Sequence, residues 1–591
     1  MHGEWFIEGV RLVRLVAGAA ALAALSAFPA FAQPVERPAH GLIVKLRDVP
    51  AERAHALAAG RADSETDDRR LQRVLGAAGA FGARVHPVGR TARHLDFGHV
   101  LRGGEAERLA AQLRAQPEVE WVVANERERR ADAVPSDPYF QNQWWLQAAG
   151  GSNANAPGAR LRGVPGFQAA WPAEKGRPSA VVAVLDTGIT SHPDLAGHVL
   201  PGYDFVSTFE YANDGNGRDA DASDPGDWVS RADIDQPGTA FDACAVENSS
   251  WHGTQIAGML AAATDNGIGI AAASWNGRVL PVRVAGKCGA EVADIVDGMR
   301  WAAGLAVAGV PPNPNPARIV SISFGSNAPC NAAYQDAIDE LSAVGAVVVV
   351  AAGNEHTVPM RPANCRGVIA VAALNRDGFK ATYSNFGASV SLATVGGDPV
   401  SEGAWGGALG DDGLVTLDNA GPRGAEAGTY ARVFGSSFTA PIVAGAVSLM
   451  LSANPNLTAA QIIEGLRLSA RPHLVSPTME SCSALNPGRC ICTTATCGAG
   501  ILDAAEAVRY AQTLFAGAVY TPRRWPTEVL DNAEVDAALA LGPDLPANAA
   551  DGVVAAAAGS GGAGGGAMGL PWLAALALAV VVVARAARRN A

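Results

Sequence analysis

Between residues 135 and 513 short apolar runs recur at 181–185 (VVAVL), 279–284 (VLPVRV), 319–324 (IVSISF), 346–350 (AVVVV) and 368–373 (VIAVAA). Most of these runs lack the apolar–polar alternation of a half-exposed strand, so they are expected as strands buried on both faces. A parallel sheet covered by helices provides that environment. Helical stretches fall between and after them, among them 252–263 and 442–451. The pattern predicts an α/β domain over 135–513, with its chemistry carried by polar residues at the carboxyl ends of the strands. The texture differs upstream. Residues 42–46 (LIVKL) and 119–123 (VEWVV) read as strands and 105–116 as an amphipathic helix. This predicts a small α+β module of two helices on a sheet over 33–134, ending in the charged, cleavable tract ERERR at 126–130.

The two ends of the chain follow other rules. Arg11 and Arg14 precede an apolar run and then Ala30-Phe31-Ala32, the layout of an export signal over 1–32. Beyond 513 the chain becomes Ala-, Pro- and Gly-rich and reads as a linker over 514–566, ending in GSGGAGGG. Residues 567–584 are apolar and about long enough to span a bilayer. Arg585, Arg588 and Arg589 follow, so 567–591 reads as a transmembrane or sorting tail with a cytoplasmic end.

Composition narrows the partners. A net charge of −12 argues against nucleic acid, which needs a basic face. Eight cysteines in an exported chain favour disulfides, and their spacings do not match paired C-x2-C zinc knuckles. The sequential pairs Cys244–Cys288 and Cys330–Cys365 are expected; Cys482, Cys490, Cys492 and Cys497 allow three connectivities.

Four residues carry candidate chemistry. Asp186 ends the run VVAVL, and Gly188 permits a sharp turn away from it. His252 opens the helix HGTQIAG. Asn354 follows VVVVAAG at a strand end, and its amide is a neutral donor suited to a developing oxyanion. Ser437, in GSSFTAP, precedes an apolar helix whose N-terminal end favours negative charge. Each alone is open to a bland reading as a turn residue, a helix end or a cap.

Together, and in the order Asp, His, Asn, Ser, the segments VAVLDTGI, HGTQIAG, AAGN and GSSFTAP resemble those of the subtilases over about residues 135–507. The resemblance implies a subtilisin-like three-layer α/β fold with a mostly parallel central sheet, preceded by a propeptide that acts as folding aid and intramolecular inhibitor. It implies a secreted serine endopeptidase acting on protein or peptide substrates, with Asp186, His252 and Ser437 as triad and Asn354 in the oxyanion hole. Residues 321–326 resemble an edge strand that pairs with substrate. Ser323, Phe324, Gly325, Ala351, Ala352 and Gly353 would then line a pocket with small, apolar walls. Asp137, Asp194 and Asn266 match positions that hold a structural Ca²⁺ in thermostable subtilases. The Gly-rich tail resembles sorting tails that a rhomboid-type protease trims in Gram-negative bacteria, a permanent anchor being the alternative; either places the enzyme outside the cell or on its surface.

The sequence departs from the family at GSSFTA, where Gly-Thr-Ser-Met-Ala is usual; Phe438 therefore stands for Met, and no catalytic atom is lost. It also inserts an acidic, Gly-rich loop (213–221 and 223–228) between Asp186 and His252, either a Ca²⁺ loop or a solvated acidic one. An inactive scaffold serving as a surface binding protein is the alternative function. A lipase or esterase would need a Gly-x-Ser-x-Gly elbow and the order Ser, Asp, His, which are absent.

Overall fold

The computed structural model describes residues 39–48, 63–89, 91–101, 104–126, 134–150, 152–153, 156–235, 241, 244–400 and 405–541. The export signal, most of the 126–130 tract, the Gly-rich stretch and the apolar tail lie outside them. The chain divides into two compact units, Met1–Asp132 and Ala133–Ala591.

In the first unit, β1 (Ala39–Leu46), α1 (Asp63–Ala77), β2 (Arg84–Val88), β3 (Ala92–Asp96), α2 (Glu105–Arg114) and β4 (Val119–Glu126) follow in order. The strands form an antiparallel sheet in the order β2-β3-β1-β4. Leu71, Val74 and Leu75 of α1 and Ala110 and Leu113 of α2 bury against Leu42, Val44, Leu95 and Val122. Strands β2 (RVHPV) and β3 (ARHLD) were not predicted. Their apolar residues are interrupted by His, Arg and Pro, and β2 lies at the sheet edge, where a proline costs no ladder bond.

The second unit is built on a seven-stranded sheet. Its strands are β5 (Val181–Asp186), β6 (Tyr203–Asp204), β7 (Arg278–Arg283), β8 (Ile319–Ile322), β9 (Val347–Ala351), β10 (Ile369–Leu374) and β11 (Leu392–Val395). They pair in parallel in the order β11-β10-β9-β8-β5-β7-β6. The period of two shows in the burial. Val182, Val184, Ile319, Val347, Val349, Ile369 and Val371 enter one core, while Ala183, Leu185, Val320, Ile322, Val348, Val350 and Ala370 enter the other. The first core is closed by helices α3 (His252–Ala261) and α6 (Thr439–Ala453), the second by α4 (Val292–Ala302) and α5 (Ala332–Ala343). This is the expected three-layer arrangement. Strands β6 and β11 are additions at the two edges, too short or too weakly apolar to stand out in the sequence. A hairpin, β12 (Leu414–Asn419) with β13 (Gly428–Val433), lies outside the sheet.

The stretch Ser436–Ala453, which holds α6, is long and apolar enough to cross a membrane, yet 89% of it is buried inside the domain, so it is a core helix. Part of 516–541, expected to be linker, packs on the domain, although most of its residues are exposed. Val475 bridges to Val529, and Leu530, Val535 and Ala538 join Phe379, Trp405 and Leu474 in a small core. Apolar residues at 530, 535 and 538 provide that contact despite the Ala- and Pro-rich composition. The disulfides include Cys244–Cys288 and Cys330–Cys365, as expected. The open pairing resolves to Cys482–Cys490 and Cys492–Cys497.

Candidate active site

The parallel register brings the candidate residues together. Leu185 of β5 and Val350 of β9 both pair with Ile322 of β8. The next residues, Asp186, Ser323 and Ala351, therefore lie side by side at the strand ends, about 5 Å apart per strand. These are the carboxyl ends of three adjacent strands, where a ligand crevice is expected.

Two glycines let the Asp186 turn and the start of α3 touch. Gly188 has φ +102°, and a Cβ on Gly253 would lie 2.1 Å from the Gly188 carbonyl oxygen. With no Cβ on either, the helix start closes on the turn, and His252 Nδ1 reaches both Asp186 oxygens, at 2.8 and 3.0 Å. Asp186 is 1% exposed and the imidazole 19%. Trp251, just before the helix, holds φ 53° and anchors its indole N–H on the Gly421 carbonyl at 2.7 Å.

The imidazole sits between the rings of Phe324 and Phe438, with centroids at 5.6 and 5.8 Å. Ser437 precedes Phe438 in a 3-10 turn, Ser436–Phe438, that leads into α6. Its hydroxyl makes a long 3.5 Å contact to the Ser323 carbonyl, while Ser323 Oγ donates to the Ser437 carbonyl at 2.7 Å. Ser436 ties this turn to the end of β9. Its N–H donates to Asn354 Oδ1 at 2.8 Å, and its Oγ accepts from the Gly353 N–H at 3.1 Å. With its carbonyl end fixed on the serine turn, Asn354 presents its NH2 end outward as a donor.

Burial alone would lower the proton affinity of His252. The charge and hydrogen bond of Asp186, joined by the charges of Asp227 and Asp224, outweigh it and hold the imidazole above the ordinary histidine range. A base must be unprotonated to act. Activity that depends on His252 is therefore expected to fall as pH drops through a midpoint above about 6.5. A pH profile of kcat/KM reads that midpoint directly.

Two expectations from the resemblance need correction. Of residues 321–326, expected as an edge strand, Ser321 and Ile322 belong to β8 at the middle of the sheet, flanked by β5 and β9. Only beyond Ile322 does the backbone leave the sheet, with Ser326 exchanging backbone hydrogen bonds with Arg361. Nor are the walls near Ala351, Ala352 and Gly353 wholly apolar. Glu355 places a carboxylate against Gly353, where it accepts from the Asn354 N–H and from Asn385 Nδ2, both at 2.8 Å. Gly325 packs against the Arg361 carbonyl, which a Cβ would approach to 2.7 Å.

Asp137, Asp194 and Asn266 are also brought together. Asp194 accepts from Asn266 Nδ2 at 2.9 Å and from the Ile270 N–H at 2.8 Å, and Asp137 Oδ2 accepts from the Asp265 N–H at 2.8 Å. Asp137 Oδ1 is buried with no hydrogen-bond partner. Burial, with a contribution from the neighbouring Asp194 charge, raises the proton affinity of Asp137. Two buried carboxylates and an orphaned oxygen fit a hard cation. Asn266, as it stands, turns its NH2 toward Asp194 and gives its carbonyl to the Ile268 N–H, so it would have to rotate to serve as a ligand.

Ion pairs tie the acidic insertion to the rest of the domain. The buried Arg283 guanidinium pairs with Asp204 and with Asp214, at 2.8 Å for the latter, and Arg218 pairs with Asp294 and Asp297. Sequence reasoning missed Thr187 and Asp224, which meet at 2.6 Å behind Asp186. The only hint was Thr187's place directly after the candidate aspartate.

The sequence signature of the Subtilase family (Peptidase S8) matches residues 178–488, and the chain belongs to that family. It is 38% identical over 410 residues to an extracellular protease of Xanthomonas campestris pv. campestris, covering 69% of this chain and 62% of that protein. It is 37% identical over 351 residues to an extracellular basic protease of Dichelobacter nodosus, covering 59% and 53% respectively. The chain thus spans less than two thirds of the length of either relative. Among solved structures, a protease of Pseudoalteromonas arctica PAMC 21717 aligns with TM-score 0.53 and 39% identity, over 64% of this chain and 99% of that one.

Proposed function

We propose that the chain is the precursor of a secreted serine endopeptidase that hydrolyses protein or peptide substrates. The observation that carries this reading is the doubly hydrogen-bonded Asp186–His252 pair, with Ser437 and Asn354 on adjoining turns. Ser437 Oγ attacks the scissile carbonyl, and His252 takes its proton and returns it to the leaving amine. Asp186 fixes the imidazole through Nδ1 and stabilises its cation, and the acyl-enzyme is hydrolysed by water through the same steps. The NH2 of Asn354 and the Ser437 N–H receive the tetrahedral oxygen. The segment 323–325 and the chain at 351–353 hold the substrate, with Glu355 contributing a negative charge nearby. Casein digestion and peptide-library profiling by the purified protein test the activity. No cleavage under any condition would refute it and favour the inactive scaffold.

The first unit serves as the propeptide, an inhibitor until it is cleaved between about residues 129 and 135. The apolar tail delivers the chain to the cell surface or to a sorting protease of rhomboid type. Mass spectrometry of the secreted form checks this, since a C-terminus retaining 567–584 would exclude trimming. Asp137 and Asp194 would hold Ca²⁺, which would neutralise their mutual repulsion and take no part in the chemistry. Calcium at about 100 times its dissociation constant is then expected to add about 2.7 kcal/mol of stability. Thermal unfolding with calcium and with a chelator reads this, and Asp194→Asn should abolish the difference.

A further inference from the structure

Behind the triad lies a second buried carboxylate to which the mechanism above assigns nothing. We infer that Asp224 is a positioning residue for the triad, acting through the Thr187 hydroxyl; the inference rests on the protease reading. Thr187 Oγ donates to Asp224 Oδ2 at 2.6 Å, so its lone pairs face elsewhere, and one accepts the Gly253 N–H at 3.1 Å. Its own N–H donates to Asp186 Oδ1 at 2.8 Å, and its carbonyl accepts from Arg283 Nε at 3.2 Å. Thr187 is thus bonded to the catalytic aspartate on one side and to the first turn of the His252 helix on the other. Asp224 sets which way its hydroxyl points.

The placement is built. Asp224 is 4% exposed, and its other oxygen accepts from the Gly226 N–H at 2.9 Å. A Cβ on Gly188 would meet the Asp224 amide nitrogen at 2.9 Å, so the same glycine that allows the Asp186 turn admits this loop. Gly226 is pressed on the Arg423 carbonyl, which also accepts from Ser249 Oγ. Cys244–Cys288 fastens the insertion further along. The long interval between Asp186 and His252 therefore returns to the site and braces it.

The charges facing Asp224 are Asp227 on its own loop, Arg283 from β7, and Asp186 and His252 across Thr187. Burial, reinforced by Asp227, pushes Asp224 up to about 7, and its negative charge in turn raises His252.

The experiment compares the mature wild type with Asp224→Asn, Thr187→Val and Thr187→Ser on a fluorogenic peptide from pH 5 to 10. Asp224→Asn and Thr187→Val are expected to lose roughly 10- to 100-fold in kcat, the scale of a misplaced catalytic group, with KM nearly unchanged. Thr187→Ser, which keeps the hydroxyl, should restore most of the rate. In Asp224→Asn the acid limb of kcat/KM should move to lower pH, because a negative charge beside the imidazole is gone. A folded Asp224→Asn with wild-type kcat and an unmoved limb overturns the inference while leaving the protease reading intact. If Asp224→Asn does not fold, Thr187→Ser as damaged as Thr187→Val overturns it equally. A wild type that cleaves nothing overturns the protease reading, and this inference with it.

Discussion

Replacing Ser437 with alanine is expected to lower kcat by about 10⁶-fold, the size such a loss has in subtilisin, and to leave the purified precursor at full length. The large effect follows from the division of labour at the site. His252, held by Asp186 at 2.8 Å, has no proton to move once the hydroxyl is gone, so base and orienting carboxylate lose their function together. What remains is binding and the oxyanion donors. Maturation is the second readout, since the cleavable tract joins the two units and the proposal assigns its cutting to this serine. Gel and mass analysis of the isolated variant checks both parts. A Ser437→Ala protein that matures alone would detach processing from this site.

The second large effect is expected at Asn354. Its carbonyl end is tied to the Ser436 N–H at 2.8 Å, which aims the amide donors without committing them. A donor fixed in advance stabilises the oxyanion of the transition state far more than the neutral carbonyl of the substrate. Asn354→Ala should therefore cost about 3–4 kcal/mol of transition-state stabilisation, a 10²- to 10³-fold fall in kcat, with little change in KM. Steady-state kinetics separates the two constants. A rise in KM with kcat intact would make Asn354 a substrate-binding residue instead.

The parts legible in the sequence share a physical cause. A strand buried on both faces is apolar at nearly every position, so β5, β8, β9 and β10 announce themselves, and so do Asp186 and Asn354, the first polar residues after two apolar runs. Strands β2 and β3 at a sheet edge face no such requirement and carry His, Arg and Pro. The packing of Leu530, Val535 and Ala538 was not legible because composition averages over a segment, whereas these residues pack as individuals. The partnership of Thr187 with Asp224 could not be read, because they stand 37 positions apart and only the folded loop brings them together. The same holds for the central position of 319–322: an apolar run declares burial, but its neighbours are set by topology.

The central claim is that Ser437 is a nucleophile activated by His252 and Asp186. The most direct measurement is reaction of the mature protein with a serine-directed phosphonate, followed by peptide mapping of the adduct. A single adduct on Ser437, formed in step with loss of casein cleavage and absent from His252→Ala, is the predicted result. Casein cleavage that persists without modification of Ser437, or an adduct on another serine, would contradict it.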